Sequence, residues 1–104
     1  MKSHANDPRL SHLILNQFNA KSFVPSIGTT TVTAEAGYDK DSTSSALMMM
    51  SSEHRVIKNQ QGEVLADERY LERSGTRKST SYRLTPYGEQ ERQRLGALLQ
   101  AADR

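Results

Sequence analysis

The segment from Arg73 to Arg83 is the part of the chain whose residue types are best suited to binding a polyanion. Its basic side chains are interleaved with Ser, Thr and Gly, and no acidic residue lies among them. This composition suits a loop that lies along a phosphate backbone, although the solvated tip of a β-hairpin has the same composition. The four basic residues are Arg73, Arg77, Lys78 and Arg83.

A second group of polar side chains lies at the start of a predicted helix. The apolar pattern predicts this helix from Ser42 to about Ser52, with Asp41 as its amino-terminal cap. Hydroxyl groups in its first turns can bond phosphates or base edges, because a hydroxyl both donates and accepts. Helix capping and solubility are the alternative roles of these serines. The candidate contacts are Lys40, just before the helix, and Ser42, Ser44 and Ser45 on its exposed early turns.

The buried face of the same helix is predicted from Ala46, Leu47 and Met50. Met48 and Met49 cannot both join them, because the core-facing side is already occupied. We therefore expect one of the two to be exposed, where it touches a thymine methyl group, a partner chain or solvent. Neither methionine is assigned to the site.

A first helix is predicted near the amino terminus. Asp7 can cap it, Pro8 suits its first position, and its apolar stripe continues to Phe18. We expect it to end near Asn19 or Ala20.

A short strand and a second helix follow in the prediction. Pro25 and Gly28 disfavour a helix over residues 22–28, so this segment is expected to be a short edge strand or a loop. The hydroxyls of residues 29–31 can cap a second helix over residues 32–36, and Gly37 is expected to end it.

Extended segments separated by turn residues occupy the region from Val56 to Leu84. Turns are predicted at residues 60–62 and 74–76. An outgoing wing strand is expected over residues 67–72 and a returning strand over residues 79–84, and the pairing within the whole region stays open.

The residues from Tyr82 onwards combine the end of a strand with the start of a helix. Tyr82 and Leu84 alternate with polar residues, which is the period of a strand with one buried face. Thr85 can cap a helix whose first turn accepts Pro86, and Gly88 lies early in that helix, where its low propensity costs least. The helix is expected to continue to about residue 102.

This stretch resembles the tyrosine–x–leucine–threonine–x–x–glycine signature that closes the wing of winged-helix transcription regulators of the MarR and PadR type. The segment TTVTAEAGYDKDSTSSALMMM, residues 30–50, is similar to the family's helix-turn-helix, in which a second helix ends at glycine and a recognition helix follows. The chain departs from the family at Thr43, where an aliphatic residue is usual. It also departs at Met48 and Met49, where basic or polar residues are usual.

The resemblance implies an α+β fold: a winged helix-turn-helix with a three-helix core, a β-hairpin wing and a C-terminal helix. Residues 1–6 are polar, and a flexible N-terminus is expected there. For the rest of the chain the resemblance implies a winged-helix DNA-binding domain (7–86) and a C-terminal helix (87–104). The implied function is sequence-specific binding of double-stranded DNA by a small dimeric transcriptional regulator, with repression favoured. Helix 42–52 would lie in the major groove, and the basic wing would contact phosphates or the minor groove.

The last helix is the expected homodimer contact, because regulators of this type usually dimerise through terminal helices. Hydrophobic residues make up only 35% of the chain, which agrees with a partner chain covering part of the apolar surface. The sequence does not indicate whether a small-molecule effector exists. The apolar residues expected at the contact are Leu95, Leu98, Leu99 and Ala102.

Two other functions stay open at this point. The low net charge of +2 and the methionine-rich third helix suit a winged helix that binds another protein, such as a phage- or plasmid-encoded adaptor. DNA binding in plasmid replication or partition would use the same chemistry as a regulator.

Catalysis, metal binding and cofactors are not expected. The chain has no cysteine, and its histidines (His4, His12 and His54) lack metal-ligand spacing. It has no glycine-rich phosphate loop and no apolar stretch of membrane-spanning or leader type. The sequence therefore predicts a non-enzymatic cytoplasmic protein without membrane contact.

Overall fold

The order of helices and strands follows the predicted α+β pattern. The computed structural model describes residues 7–76 and 79–102, and within these ranges it contains four α-helices and two small antiparallel sheets. The α-helices are α1 (Pro8–Leu15), α2 (Thr29–Glu35), α3 (Lys40–Met50) and α4 (Pro86–Ala102). The strands are β1 (Val24–Pro25), β2 (Val56–Lys58), β3 (Val64–Asp67), β4 (Leu71–Thr76) and β5 (Ser79–Leu84). Short 3-10 turns at Ser26–Gly28 and Glu53–Arg55 precede α2 and β2.

The first helix begins as predicted and ends earlier. The Asp7 carboxylate accepts a hydrogen bond from the Arg9 amide at 2.9 Å, and a proline occupies the first turn. The α-helix stops at Leu15 and not near residue 19, because the next amides bond three residues back, as in the Phe18 to Leu15 bond. This tighter turn still delivers Phe18 to the core, where it is 5% exposed.

The second helix starts without a side-chain cap. Gly28 is its N-cap residue and Thr29 is already its first residue, so the predicted capping by the hydroxyls of residues 29–31 is wrong. Gly37 follows the helix with a φ of +97°, a conformation that favours glycine, which agrees with its predicted role as the helix end.

The third helix begins two residues before the predicted start. Its cap is Asp39, whose carboxylate accepts from the Ser42 amide at 2.6 Å, so the prediction that Asp41 caps the helix is wrong. Lys40 is consequently the first residue of α3, and the helix ends at Met50. Asp39 and Asp41 are two positions apart, and the fold uses the earlier one as the cap.

Two buried hydroxyls connect α2 to α3. The Oγ1 atoms of Thr33 and Thr43 lie 2.6 Å apart, and both side chains are fully buried. Thr43 thus lies at a core position, and its polar atom is satisfied by the opposite helix. The Thr33 hydroxyl is also 3.1 Å from the Thr30 carbonyl oxygen, and the Thr43 hydroxyl is 3.3 Å from that of Asp39.

The main sheet has the strand order β1-β5-β4, and all its pairs are antiparallel. The segment near Pro25, expected to be an edge strand or a loop, forms the edge strand β1, and its Val24 pairs with Tyr82. The predicted turn at residues 74–76 is wrong, because these residues continue β4 to the pair between Thr76 and Ser79. Residues 77 and 78, which connect the two strands, lie outside the described residues.

The region between Val56 and Leu84 forms two hairpins and not one long wing. β2 and β3 make a separate two-stranded sheet, with a register shift after Ile57. Its turn lies at the predicted residues 60–62, and Gly62 has a φ of +82°. The β4–β5 hairpin is the later of the two.

Cation and aromatic contacts fix the base of the β2–β3 hairpin. The Arg55 guanidinium donates to the Met49 carbonyl oxygen at 2.8 Å and lies 4.7 Å from the centre of the Tyr70 ring. Tyr70 in turn stacks on Tyr87 of α4, with ring centres 5.2 Å apart. These contacts join the end of α3, the start of β4 and the start of α4.

The junction between β5 and α4 depends on the predicted cap and on a close approach that was not predicted. The Thr85 hydroxyl accepts from the Gly88 amide at 2.9 Å and donates to the Arg69 carbonyl oxygen. A Cβ atom on Gly88 would lie 2.0 Å from the Tyr70 carbonyl oxygen. Glycine is therefore required for this backbone approach, whereas the sequence suggested only that its helix propensity was tolerable there.

Among the described residues, a cluster of buried apolar side chains lies between the helices and the main sheet. It draws on α1, α3, β4, β5 and α4, and it includes the predicted face of α3. The residues are Leu10, Ile14, Leu15, Phe18, Ala46, Leu47, Met50, Leu71, Tyr82, Leu84 and Leu95. Across residues 7–76 and 79–102, no helix combines the length and hydrophobicity needed to cross a membrane. The predicted flexible segment 1–6 lies outside the described residues.

Candidate nucleic-acid interface

One face of α3 carries all of its exposed residues. We call this set the exposed face of α3, and it consists of Lys40, Asp41, Ser44, Ser45 and Met48. Their spacing places them along one side of the helix over about two turns. The opposite side packs into the core, so the helix presents one free side along its length.

Ser42 does not belong to this face. Its residue is 4% exposed, and its amide receives the Asp39 cap. Ser42 lies one turn before the buried Ala46, and so it is on the core-facing side of α3. The prediction that Ser42 is exposed for DNA contact is therefore wrong, whereas Ser44 and Ser45 are exposed as expected.

The prediction for the two central methionines is confirmed. Met48 is 69% exposed, whereas Met49 is only partly exposed and its carbonyl oxygen accepts from Arg55. Met48 lies at the carboxy-terminal end of the exposed face of α3, next to the β4–β5 hairpin.

An open cleft of about 490 Å³ separates the end of α3 from β4. Met48 lines it from the helix, and Arg73 lines it from the strand. Arg73 pairs with Tyr82 in the sheet, and so lies on the same side of the sheet as that ring. Burial raises the pKa of the Tyr82 phenol, and the nearby Arg73 guanidinium partly offsets the rise.

Two of the predicted basic contacts carry charge that the domain leaves uncompensated. Lys40 and Arg73 are both exposed, and no carboxylate of residues 7–76 or 79–102 lies within ion-pair distance of either. Asp41 and Glu53 contribute negative charge nearby, and Glu53 is partly compensated by Arg69 at 3.4 Å.

Arg83 is placed as predicted on the side of β5 away from the core, but its charge is paired. Its guanidinium lies 2.7 Å from the Glu72 carboxylate, its neighbour across the sheet, and 4.4 Å from the centre of the Phe23 ring. It is thus less available for a phosphate than Arg73. The remaining two predicted contacts, Arg77 and Lys78, lie outside the described residues.

The arginines elsewhere in the chain are mostly held by acidic neighbours. Arg69 bonds Asp67 at 2.7 Å, and on α4 Arg92 and Arg94 each pair with a glutamate three residues earlier. The hydrogen bond from Arg69 keeps the pKa of Asp67 below its ordinary value. Lys40 on α3 and Arg73 on β4 are among the cationic groups that have no such acidic partner in the described residues.

The predicted dimer contact is only partly exposed. Leu95 is 2% exposed and belongs to the core between α1 and α4, so its assignment to a dimer contact is wrong. The period of the α4 stripe could not separate residues that face α1 from those that face outwards. Leu98 is 47% exposed, Ala102 is exposed, and Leu99 lines a groove of about 780 Å³ between α1 and α4.

The β2–β3 hairpin exposes apolar side chains that the sequence reasoning left unassigned. Ile57 is 44% exposed, Val64 59% and Leu65 65%. The available signal was the pair of short apolar runs on either side of a polar turn, which is typical of an independent hairpin.

No group of metal-ligating side chains occurs in the part of the chain that the structure describes. Comparison of the chain with protein-family models, with curated protein sequences and with solved structures finds no significant match.

Proposed function

We propose that the chain is a winged helix-turn-helix protein that binds double-stranded DNA as a small transcriptional regulator. The observation that carries the proposal is the placement of the exposed face of α3 beside the β4–β5 hairpin, with the uncompensated charges of Lys40 and Arg73 on that side. An α-helix with one free side fits the major groove, and an adjacent basic hairpin can bind the flanking backbone.

The topology supports the winged-helix interpretation. Three helices precede the β4–β5 hairpin, and the short β1 pairs with the returning strand β5 to give the order β1-β5-β4. The β4–β5 hairpin would be the wing, and the strand-to-helix junction at Thr85 and Gly88 would close it.

The mechanism is occlusion of a promoter. Lys40 at the start of α3 would bind a phosphate at one edge of the major groove, and Ser44 and Ser45 would bond phosphates or base edges within it. Arg73, Arg77 and Lys78 would bind phosphates or enter the minor groove from the wing. Repression follows if RNA polymerase needs the same surface of the DNA, and such a regulator acts in the cytoplasm.

A homodimer would present two recognition helices to the two halves of a palindromic site. The exposed Leu98 and Ala102, together with Leu99 in the α1–α4 groove, are the residues of α4 available for the contact. Apolar side chains that line such a groove gain free energy when a second chain covers them.

The alternative is a winged helix that binds another protein, as in a phage- or plasmid-encoded adaptor. The exposed apolar residues Ile57, Val64 and Leu65 favour it, because a two-stranded hairpin with little buried surface is marginal on its own. DNA binding in plasmid replication or partition shares the chemistry of the main proposal.

A salt titration of binding to random duplex DNA tests the proposal. A DNA-binding protein loses affinity steeply with ionic strength, and the Arg77→Ala/Lys78→Ala double variant should reduce the logarithmic slope by about two. The matched control is Arg92→Ala/Arg94→Ala, which removes two arginines that are paired on α4 and should leave the slope unchanged. Absence of duplex binding by the unaltered protein at low salt would favour the protein-binding alternative.

A further inference from the structure

The exposed face of α3 has an unusual selection of side chains for reading bases. It contains no arginine, asparagine or glutamine, and its serines offer hydroxyls that bond almost any base edge. Its only large apolar side chain is Met48, which is 69% exposed. The purine contacts that usually give specificity, through guanidinium or amide groups, are therefore missing from this face.

The buried residues beside Met48 set the side of α3 from which it projects. Leu47 precedes it, Met50 follows two positions later, and both are buried in the core. Across the cleft of about 490 Å³ lies Arg73 on β4. An apolar thioether therefore projects from the helix next to a cation that suits a phosphate.

We propose that Met48 reads the 5-methyl group of thymine in the major groove, so that the protein prefers A·T-containing duplexes over their methyl-free counterparts. The inference rests on the proposed DNA-binding function and adds the class of base that α3 selects. The thymine methyl is the only apolar group that a standard base pair presents in the major groove. A flexible, polarisable methionine adapts well to such a small apolar partner.

Arg73 would determine how closely the end of α3 approaches the bases. By binding a phosphate that flanks the cleft, it would hold the backbone against β4 and bring the adjacent bases towards the end of α3. The serines at the start of the helix would position the other end without selecting a base.

The experiment compares duplexes that differ only in this methyl group. An alternating A·T duplex of about 30 base pairs is long enough for two half-sites, and it is compared with the same duplex carrying deoxyuridine in place of thymidine. A second pair compares a G·C duplex with the same duplex carrying 5-methylcytosine, which adds a methyl group at the equivalent position. Affinity is measured for all four at low salt.

The unaltered protein should bind the methylated member of each pair more tightly. Covering one methyl group is worth about 0.8 kcal/mol, so we expect a ratio of about fourfold for each contact. In Met48→Ala both ratios should fall to about one, because the side chain that covers the methyl group has been removed. Leu65→Ala is the matched control, because Leu65 is similarly exposed, at 65%, on the β2–β3 hairpin, and it should keep the full ratios.

Failure of the inference can be distinguished from failure of the proposed function. Equal affinity for both members of each pair would overturn the thymine assignment and leave DNA binding intact. A ratio that survives in Met48→Ala would overturn it as well, because another side chain would then sense the methyl group. If none of the four duplexes is bound, both the inference and the proposed function are wrong.

Discussion

The hydroxyl oxygens of Thr33 and Thr43 lie 2.6 Å apart between α2 and α3, in a place where neither side chain is exposed to solvent. This pair links α2 to α3, the helix that carries the proposed DNA contacts. It also satisfies the polar atom of a threonine at a fully buried position of α3.

Removal of one of these hydroxyls should destabilise the domain more than removal of both. Thr43→Val leaves the Thr33 oxygen without one of its partners in a buried site, and we expect a cost of about 1–2 kcal/mol in the free energy of unfolding. In Thr33→Val/Thr43→Val both polar groups are replaced by apolar groups of similar shape, so the double variant should recover much of that loss. Urea denaturation of the unaltered protein, of Thr43→Val and of the double variant measures these differences in the free energy of unfolding. Additive losses would show that the two hydroxyls do not interact.

The close approach of Gly88 to Tyr70 predicts a strong effect of a single methyl group. Gly88→Ala would place a Cβ atom 2.0 Å from a backbone oxygen, so the start of α4 must shift. We expect a loss of stability of about 2 kcal/mol or more.

Gly96→Ala in the same helix is the matched control for this substitution. Its Cβ atom would lie 3.3 Å from the end of the His12 side chain, which can move. The higher helix propensity of alanine should then make the change neutral or stabilising in thermal unfolding. Equal melting temperatures for the two variants would contradict the steric interpretation of the junction.

Most helix starts and buried helix faces could be predicted from the sequence. Which of two residues of the same type acts as a cap could not. Asp7 with Pro8 and Thr85 with Pro86 each marked a helix start correctly, because a cap and a proline together are a local signal. Asp39 and Asp41 are equally good caps by type. In the folded domain Asp39 is the residue whose carboxylate accepts from the Ser42 amide, and residue type alone does not distinguish it from Asp41.

The sequence predicted extended segments between Val56 and Leu84, but it did not predict which strands pair. The glycine in the segment 74–76 suggested a turn, yet Gly75 lies within β4 at a φ of +100°. The local sequence pattern of two hairpins is the same as that of one long hairpin. Between the two hairpins, Tyr70 stacks on Tyr87 of α4, a contact between residues that are distant in sequence. The need for glycine at residue 88 likewise comes from a backbone that is distant in sequence.

Acidification should weaken the contact between Asp67 and Arg69. The hydrogen bond from Arg69 lowers the pKa of Asp67 below its ordinary value of 3.8 in the folded state. A group with a depressed folded pKa stabilises the fold above its unfolded pKa, and this contribution is lost as the pH falls through the folded pKa. Urea midpoints should therefore begin to decrease below about pH 5 and continue to decrease as the pH falls past the unfolded pKa towards the folded one, and Asp67→Asn should show a smaller decrease. An equal decrease in the variant would show that other carboxylates account for it.

Substitutions on α4 should separate self-association from folding. Leu98→Glu places a charge at an exposed position of the proposed dimer contact, so it should yield a folded monomer in sedimentation equilibrium. Leu95→Ala removes buried core volume and should instead cost about 2–4 kcal/mol of stability. Leu65→Glu on the β2–β3 hairpin is the control that should leave the dimer intact. If Leu98→Glu does not change the molecular mass, α4 is not the contact.

The surface that faces DNA can be identified directly by following backbone amide NMR signals while random duplex DNA is added at low salt. The proposal predicts the largest changes in residues 40–48 of α3 and at the tip of the β4–β5 hairpin, with little change in β2, β3 or the second half of α4. Changes concentrated at Ile57, Val64 and Leu65, or no changes at any duplex concentration, would contradict it.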